Sequence, residues 1–336
     1  MSQSTNRQSD SRDRRLSRRG FLYAGAGGVG AALIMASPGR AQQSGQQGAV
    51  QQSGALQGAA RISTTDLKGA FLLQGAGCNV IALSGPKDGE GSGALMIDGG
   101  LAANADALLG AVRNTTGNSR IHTLINTHWH PEQTGANEAV GRAGGVIFAH
   151  EKTKLYLSSA VYSELFKGRR PALPEAARPT RTTRGDGSME FAGQQIAYGY
   201  MPAAHSDSDI YLHLPKLNLL AVGGVVSAEG WPLIDHRNGA WFGGRVRAVE
   251  RLAEIVTPDT RVVPTDGRVM TGAEVVRHRD MYQKLFVTMI DYMNKGYGPE
   301  DAVERNPLKE YQAEFGDPSA FLYGAMRSMM IAYVPD

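Results

Sequence analysis

Short apolar runs alternate with segments of helical periodicity from residue 61 onward. The runs have the length of short buried strands and occur at 79–83, 94–97, 121–126, 146–149, 194–201, 209–214, 218–222 and 261–264. Between them, 101–112 and 246–256 repeat apolar residues at the spacing of one helix face. Strands mixed with helices in two similar halves predict an α/β (α+β) fold with four layers, in the order helix, sheet, sheet, helix.

The pattern divides the chain into four segments. Residues 42–60 are rich in Gln, Gly, Ser and Ala and predict a flexible linker. Residues 61–270 form the predicted body, in which 167–184, rich in Arg, Pro and Thr, is expected to be a loop or insertion. After Gly272 the pattern is mostly helical, so 271–336 is predicted to be a helical C-terminal extension.

Residues 1–41 have the features of a targeting segment. Ser17-Arg18-Arg19-Gly20-Phe21-Leu22 resembles the twin-arginine export signal, and a Gly/Ala-rich apolar run follows it. That run is shorter than the roughly 20 residues of a membrane-spanning helix, and small residues precede a plausible cleavage point after Ala41. We therefore expect export by the twin-arginine machinery to the periplasm or the cell exterior, with no membrane anchor in the mature chain.

Charge and cysteine content argue against two classes of protein, those that bind nucleic acids and those built on internal disulfides. The first 41 residues hold seven Arg and two Asp, which leaves 28 of the 35 basic and 30 of the 32 acidic residues to the rest of the chain. The mature part is therefore nearly neutral, and its charge gives no reason to expect nucleic-acid binding. The single Cys78 cannot form an internal disulfide, whatever the compartment.

The densest chemistry lies in the stretch N-T-H-W-H-P-E-Q-T-G at 126–135. His128 and His130 are two residues apart directly after an apolar run, and this spacing on extended backbone points both imidazoles the same way. His205 and Asp266 follow two other apolar runs, and Asp98 ends a fourth. Three neutral imidazoles can hold Zn²⁺ and leave a fourth position for water, as in open catalytic zinc sites.

The motifs and their order resemble the metallo-β-lactamase fold hydrolases over roughly 61–270. The order is I-D-G-G, then N-T-H-W-H-P-E-Q-T-G-x-N, then A-H-S-D-S-D, then G-G-V-V and V-V-P-T-D-G. The resemblance implies an αββα sandwich with the metal site at one edge, between the sheets. It also implies a hydrolase that usually carries two zinc ions.

The resemblance assigns the ligands of the first metal to residues that are all present. His128, His130 and His205 match the three histidines of that site. Asp98 matches the family's structural aspartate, which supports the metal loop from behind. One zinc ion per chain is therefore the expected cofactor.

The positions of the second metal site are all changed. Glu132 stands for the family's aspartate and Gln133 for its histidine, while Asp266 stands for the final histidine. The aspartate that bridges the two metals falls on Gly224. A second zinc held in the family's manner is thus not expected, although Glu132 and Asp266 can offer oxygen ligands to a harder ion such as Mg²⁺ or Mn²⁺.

These residues predict a periplasmic hydrolase with one zinc ion and a small-molecule substrate. Glu132 is the expected general base and Asp266 a second carboxylate for proton transfer, with Asp98 and Gln133 in supporting positions. The attacked bond would belong to an ester, a lactone or an amide. The alternative is a catalytically silent metal- or ligand-binding or accessory protein on the same fold. The four altered ligand positions favour that alternative, and the complete three-histidine set favours the enzyme.

Overall fold

A computed structural model describes residues 61–89, 91–163 and 167–333. The predicted leader and linker, residues 1–60, lie outside the described residues. The strands are β1 (Ser63–Asp66), β2 (Phe71–Gln74), β3 (Val80–Leu83), β4 (Ala94–Ile97), β5 (Ile121–Ile125), β6 (Val146–His150), β7 (Val161–Ser163), β8 (Gly168–Arg170), β9 (Arg181–Thr183), β10 (Gly187–Phe191), β11 (Gln194–Met201), β12 (Asp209–Leu214), β13 (Leu219–Gly223), β14 (Arg261–Pro264) and β15 (Met270–Thr271).

The helices occupy the segments between strands and the C-terminal quarter. They are α1 (Ala105–Thr116), α2 (Pro131–Thr134), α3 (Asn137–Arg142), α4 (Glu151–Ser158), α5 (Phe242–Ile255), α6 (Gly272–Asn294), α7 (Pro299–Arg305), α8 (Gln312–Phe315) and α9 (Ser319–Tyr333). Asp317 accepts hydrogen bonds from the backbone N–H and the hydroxyl of Ser319, which satisfies a free donor at the start of α9.

The first sheet has the strand order β1-β2-β3-β4-β5-β6-β9. Its first four strands are antiparallel neighbours, and β4, β5, β6 and β9 run parallel to one another. The strand β9 lies within 167–184, so the expectation of an irregular loop there is partly wrong. Three residues of that segment continue the sheet, and so short a run leaves little pattern in the sequence.

The second sheet has the order β10-β11-β12-β13-β14-β15. The pairs from β10 to β13 are antiparallel, β13 and β14 are parallel, and β15 returns antiparallel to β14. The predicted hairpin of 209–214 and 218–222 is present as β12 and β13. Strands β11, β13 and β14 consequently run in the same direction and end at the same edge of the sheet.

Three apolar clusters fill the spaces between four layers. The cluster between the two sheets includes Ile81, Phe148 and Leu212. A second cluster joins the outer face of the first sheet to α1 and includes Leu108 and Leu124. The third packs α5, α6 and α9 on the second sheet. The αββα prediction is therefore confirmed.

The C-terminal helices pack on the body. Helix α6 lies along α5, and α9 contacts both α5 and α7. The described residues belong to one compact unit. The predicted boundary after residue 270 falls inside β15, so α6 starts directly from the second sheet. Among the described residues, no helix combines the length and apolar character that crossing a membrane requires.

A capping box fixes the start of α6. The Thr271 hydroxyl accepts a hydrogen bond from the Glu274 backbone N–H at 3.3 Å, and the Glu274 carboxylate accepts one from the Thr271 N–H at 2.8 Å. Arg268 also donates to that carboxylate at 2.5 Å. The Arg268 guanidinium, with the Thr271 donors, lowers the pKa of Glu274 from 4.5 to about 2.

We expect Thr271→Ala to lower the free energy of unfolding by about 1 kcal/mol, because a helix cap is lost. The contribution of the Glu274 carboxylate to the free energy of unfolding should be complete above pH 4.5. It should decline as the pH falls towards 2, since the folded-state pKa of Glu274 is depressed. Glu274→Gln should therefore destabilise the protein more at pH 7 than at pH 3. Urea unfolding at both pH values tests this, with Thr288→Ala in the middle of the same helix as the control. Equal effects of Thr271→Ala and Thr288→Ala would contradict it.

Candidate metal centre

Strand ends from both sheets meet at one edge and carry the candidate residues there. His128 and His130 follow β5, and His205 follows β11. The Ile210 N–H donates to the Thr127 carbonyl at 2.8 Å, which ties the histidine loop of the first sheet to the second sheet. The candidate site therefore lies where a loop of the first sheet meets loops of the second.

The three predicted ligands form one buried cluster. Ligand nitrogens of His128, His130 and His205 all lie within 4.8 Å of one another, and it is the one such group of His, Cys, Asp and Glu side chains found in the described part of the chain. The ring centroids are 4.7–4.9 Å apart. His205 Nε2 lies 3.1 Å from His130 Nδ1. Two nitrogens on a tetrahedral Zn²⁺ lie about 3.3 Å apart, given Zn–N distances of about 2.0 Å.

Each imidazole has its other nitrogen occupied by the protein. His128 Nδ1 lies 3.0 Å from the Thr127 hydroxyl, and His205 Nδ1 lies 2.9 Å from the Leu233 carbonyl oxygen. His130 Nε2 lies 3.1 Å from Asp235 Oδ2. His128 Nε2 is buried and has no hydrogen-bond partner among the described residues. The nitrogens that face the centre of the cluster are thus His128 Nε2, His130 Nδ1 and His205 Nε2, a donor set that suits Zn²⁺.

Burial favours the neutral form of His128 and His205. It lowers the pKa of His128 well below its ordinary value, and the neighbouring His130 and His205 lower it further. Burial, His130 and Arg245 do the same to the pKa of His205. A metal ligand must offer a lone pair, so imidazoles that stay unprotonated near neutral pH are prepared for coordination.

Asp98 lies behind the histidine loop. Its carboxylate accepts hydrogen bonds from the Thr127 N–H at 2.8 Å and from the Thr127 hydroxyl at 2.9 Å. Burial raises the pKa of Asp98 to about 7, although the Thr127 hydrogen bonds oppose the rise. Thr127 in turn contacts His128, so Asp98 orients this ligand through one residue.

Glu132 and Gln133 follow the histidines on the short helix α2. Glu132 is partly exposed, and it does not belong to the three-histidine cluster. The Arg170 guanidinium lies near Glu132. Burial lowers the pKa of Arg170, and the charge of Glu132 opposes that lowering. Gln133 is 1% exposed, and its Nε2 lies 3.4 Å from the Thr265 hydroxyl, while Oε1 has no partner among the described residues.

Asp266 follows β14 and is also outside the cluster. Its side chain is exposed, and partial desolvation with the negative charge of Glu229 raises its pKa. Burial raises the pKa of Cys78, and Asp98, Glu132 and Asp266 raise it further, in that order. All three carboxylates therefore lie near enough to Cys78 to act on its charge.

Gly224 stands where no side chain fits. A Cβ atom built there would lie 2.4 Å from His205 Cδ2 and 2.6 Å from Nε2. Any larger residue would displace the His205 ring from its present position. The geometry accordingly leaves no place for a bridging carboxylate at this position.

Three supporting residues were not assigned from the sequence. Asp209 accepts hydrogen bonds from the N–H groups of His205 and Ser206 and has Oδ1 4.0 Å from His128 Nδ1. Asp235 is held by Asn238, which donates to both of its carboxylate oxygens. Arg245 contacts His205 Nδ1 at 3.3 Å. For Asp209, its place in the motif A-H-S-D-S-D is a sequence signal of a supporting role. Asp235 and Arg245 lie in segments without a motif.

Comparison with known proteins agrees with this fold. A solved structure of DIM-1 metallo-beta-lactamase matches with a TM-score of 0.51 and 16% identity, over 68% of this chain and 99% of that one. The inverting sec-alkylsulfatase Pisa1 from Pseudomonas sp. matches with a TM-score of 0.57 and 18% identity, over 79% of this chain and 49% of that one. At such identities the likeness concerns the fold alone.

Curated protein sequences give no match to this chain. The family model of the metallo-beta-lactamase superfamily matches residues 77–283, which include every candidate metal ligand. The chain belongs to the metallo-beta-lactamase superfamily.

Proposed function

We propose that the protein is a periplasmic hydrolase that uses one zinc ion, held by His128, His130 and His205, to cleave an ester, a lactone or an amide. The observation that carries the proposal is the convergence of three buried imidazoles, each held by the protein through its other nitrogen. Zinc in such a site lowers the pKa of a coordinated water to near 7 and polarises the bond to be broken.

A single ion agrees with the altered positions around the cluster. Gly224 offers no ligand, and the closeness of His205 excludes a side chain there. Gln133 offers only a neutral amide. Glu132 and Asp266 remain as oxygen donors outside the three-histidine cluster, so a second, harder ion is the less favoured arrangement.

Glu132 is the proposed proton acceptor. It lies two residues after His130 on α2, is partly open to solvent, and has the Arg170 guanidinium nearby. Arg170 donates to the Trp129 carbonyl and to the Thr134 hydroxyl, both at 3.2 Å, so it also fixes the turn that carries Glu132. A carboxylate held in this way can take a proton from the attacking water and return it to the leaving group.

The alternative is a silent binding or accessory protein. The loss of second-site ligands favours it, whereas the intact and oriented histidine set favours catalysis. Fold likeness does not identify a substrate. A substrate screen therefore needs β-lactams, lactones and carboxylic esters, and also alkyl sulfates because the alkylsulfatase match covers 79% of this chain.

The first prediction concerns metal content. Mature protein of residues 42–336 should contain one zinc ion per chain by elemental analysis after native purification. His205→Ala should lose that zinc, because one of three ligands is removed, whereas His213→Ala in β12 should retain it. Two ions per chain would contradict the single-site arrangement, and a folded protein without metal would favour the silent binding protein.

The second prediction concerns Glu132. Glu132→Gln should lower kcat by about 100-fold with zinc content unchanged, because the amide cannot accept the proton. Glu138→Gln is the matched control, since that glutamate lies in the next helix and pairs with Arg142 at the surface. Turnover by Glu132→Gln equal to that of the control would exclude Glu132 as the general base.

The third prediction concerns export. We infer that residues 1–41 direct the chain to the twin-arginine machinery, on the basis of Arg18-Arg19 and the apolar run after them. Replacing Arg18 and Arg19 by Lys should leave the protein in the cytoplasmic fraction of expressing cells. The same change at Arg14 and Arg15 should leave export intact. Equal periplasmic yields from both variants would contradict this route.

A further inference from the structure

The guanidinium of Arg245 is fully buried beside the metal centre. Arg245 lies on α5 and has 0% of its surface exposed. It forms no direct ion pair with a carboxylate among the described residues, although Asp209 acts on it electrostatically. Burying a charge without an ion pair is costly, so the contacts that it makes instead are the key to its role.

Arg245 holds two consecutive backbone carbonyls. Nη1 donates to the Pro232 carbonyl at 3.2 Å, and Nη2 donates to the Leu233 carbonyl. Residues 231–235 form no helix or strand, and neither carbonyl accepts a backbone N–H within the described structure. Ile234 is buried in the core and the Trp231 ring stacks on Phe321, so the flanking side chains anchor the segment. The guanidinium adds hydrogen bonds to the two carbonyls between those anchors.

The Leu233 carbonyl is also the partner of His205. His205 Nδ1 lies 2.9 Å from that oxygen and 3.3 Å from Arg245 Nη2. With Nδ1–H donating to the carbonyl, the lone pair of Nε2 faces His130 and the centre of the cluster. A hydrogen bond to the second nitrogen of a ligating imidazole sets both its tautomer and its ring orientation.

The C-terminal helical region supplies the group that faces Arg245. Tyr282 lies on α6, is fully buried, and is packed among Phe242, His278 and Phe321. Burial raises the pKa of Tyr282, and Arg245 opposes that rise, which shows that the two polar groups are adjacent. The Tyr282 hydroxyl and Arg245 Nε are both buried, and neither has a hydrogen-bond partner among the described residues.

We propose that Arg245 is a positioning residue that fixes the tautomer and orientation of His205 through the Leu233 carbonyl, and that Tyr282 holds Arg245 in place. The proposal rests on the proposed function only in taking His205 as a metal ligand. It connects the C-terminal helices to the metal centre, because α6 contributes Tyr282, which acts through Arg245. Arg245 and Tyr282 themselves do not contact the reacting atoms.

The first test is zinc affinity of the metal-free protein, measured by competition with a chelator. Arg245→Met should weaken zinc binding by about 10-fold or more, as losses of groups that orient metal ligands do. Arg245→Lys should weaken zinc binding less than Arg245→Met, because the ammonium can still donate a hydrogen bond. It should not match the wild type, because one ammonium replaces a fork that reaches two carbonyls. Tyr282→Phe should weaken it measurably and keep the volume of the side chain.

The controls are a second arginine–tyrosine pair, Arg251 on α5 and Tyr211 on β12. Arg251 on α5 donates to the Tyr211 hydroxyl at 3.2 Å, away from the histidines. Arg251→Met and Tyr211→Phe should leave zinc affinity unchanged within about twofold. Circular dichroism and thermal unfolding of every variant separate a loss of affinity from a loss of the fold. Affinity reduced equally in the controls would overturn the proposal.

The second test reads the tautomer directly. Nitrogen NMR of metal-free wild type should show His205 with its proton on Nδ1, and Arg245→Met should show a mixture of tautomers. If Arg245→Met does not fold, Arg245→Lys and Tyr282→Phe answer the same question. An unchanged tautomer together with unchanged zinc affinity in the folded variants would overturn the proposal. A wild-type protein that binds no zinc would overturn the proposed function, while the tautomer would still test Arg245.

Discussion

Three imidazoles must stay neutral and face one point, and the rest of this site is arranged around that constraint. A buried imidazole with an unsatisfied nitrogen is unstable, so the protein occupies one nitrogen of each ring with Thr127, Asp235 or the Leu233 carbonyl. The other nitrogens are left for a metal. The buried, unpartnered His128 Nε2 is the clearest mark of this division.

The constraint reaches far beyond the histidine loop. Asp98 acts on His128 through Thr127, and Asn238 acts on His130 through Asp235. Arg245 acts on His205 through the Leu233 carbonyl. These supports come from β4, from the segment before α5, and from α5 itself. In the proposed arrangement Tyr282 adds α6, so two of the helices packed on the second sheet, α5 and α6, support His205. A domain that ended at residue 270 would lack Tyr282 and this contribution.

The sequence predicted the layers and pointed to the three histidines that cluster, because both leave local patterns. Short apolar runs show period and length, and His128 and His130 lie within one motif. Asp235 and Arg245 could not be found in this way, since their partners are 105 and 40 positions distant in the chain. The strand β9 was missed because it is three residues long and takes its place by pairing with β6. Trp129, which lies between His128 and His130 in the motif, is fully buried and stacks on Tyr156.

The changed positions form a consistent set in the structure. Gly224 allows the His205 ring to occupy the space that a bridging side chain would need. Glu132 and Asp266 add, after burial and Asp98, to the rise in the pKa of Cys78. A partly exposed carboxylate two residues after His130 is suited to exchanging protons with water beside the cluster, which is the role that the proposed mechanism gives to Glu132.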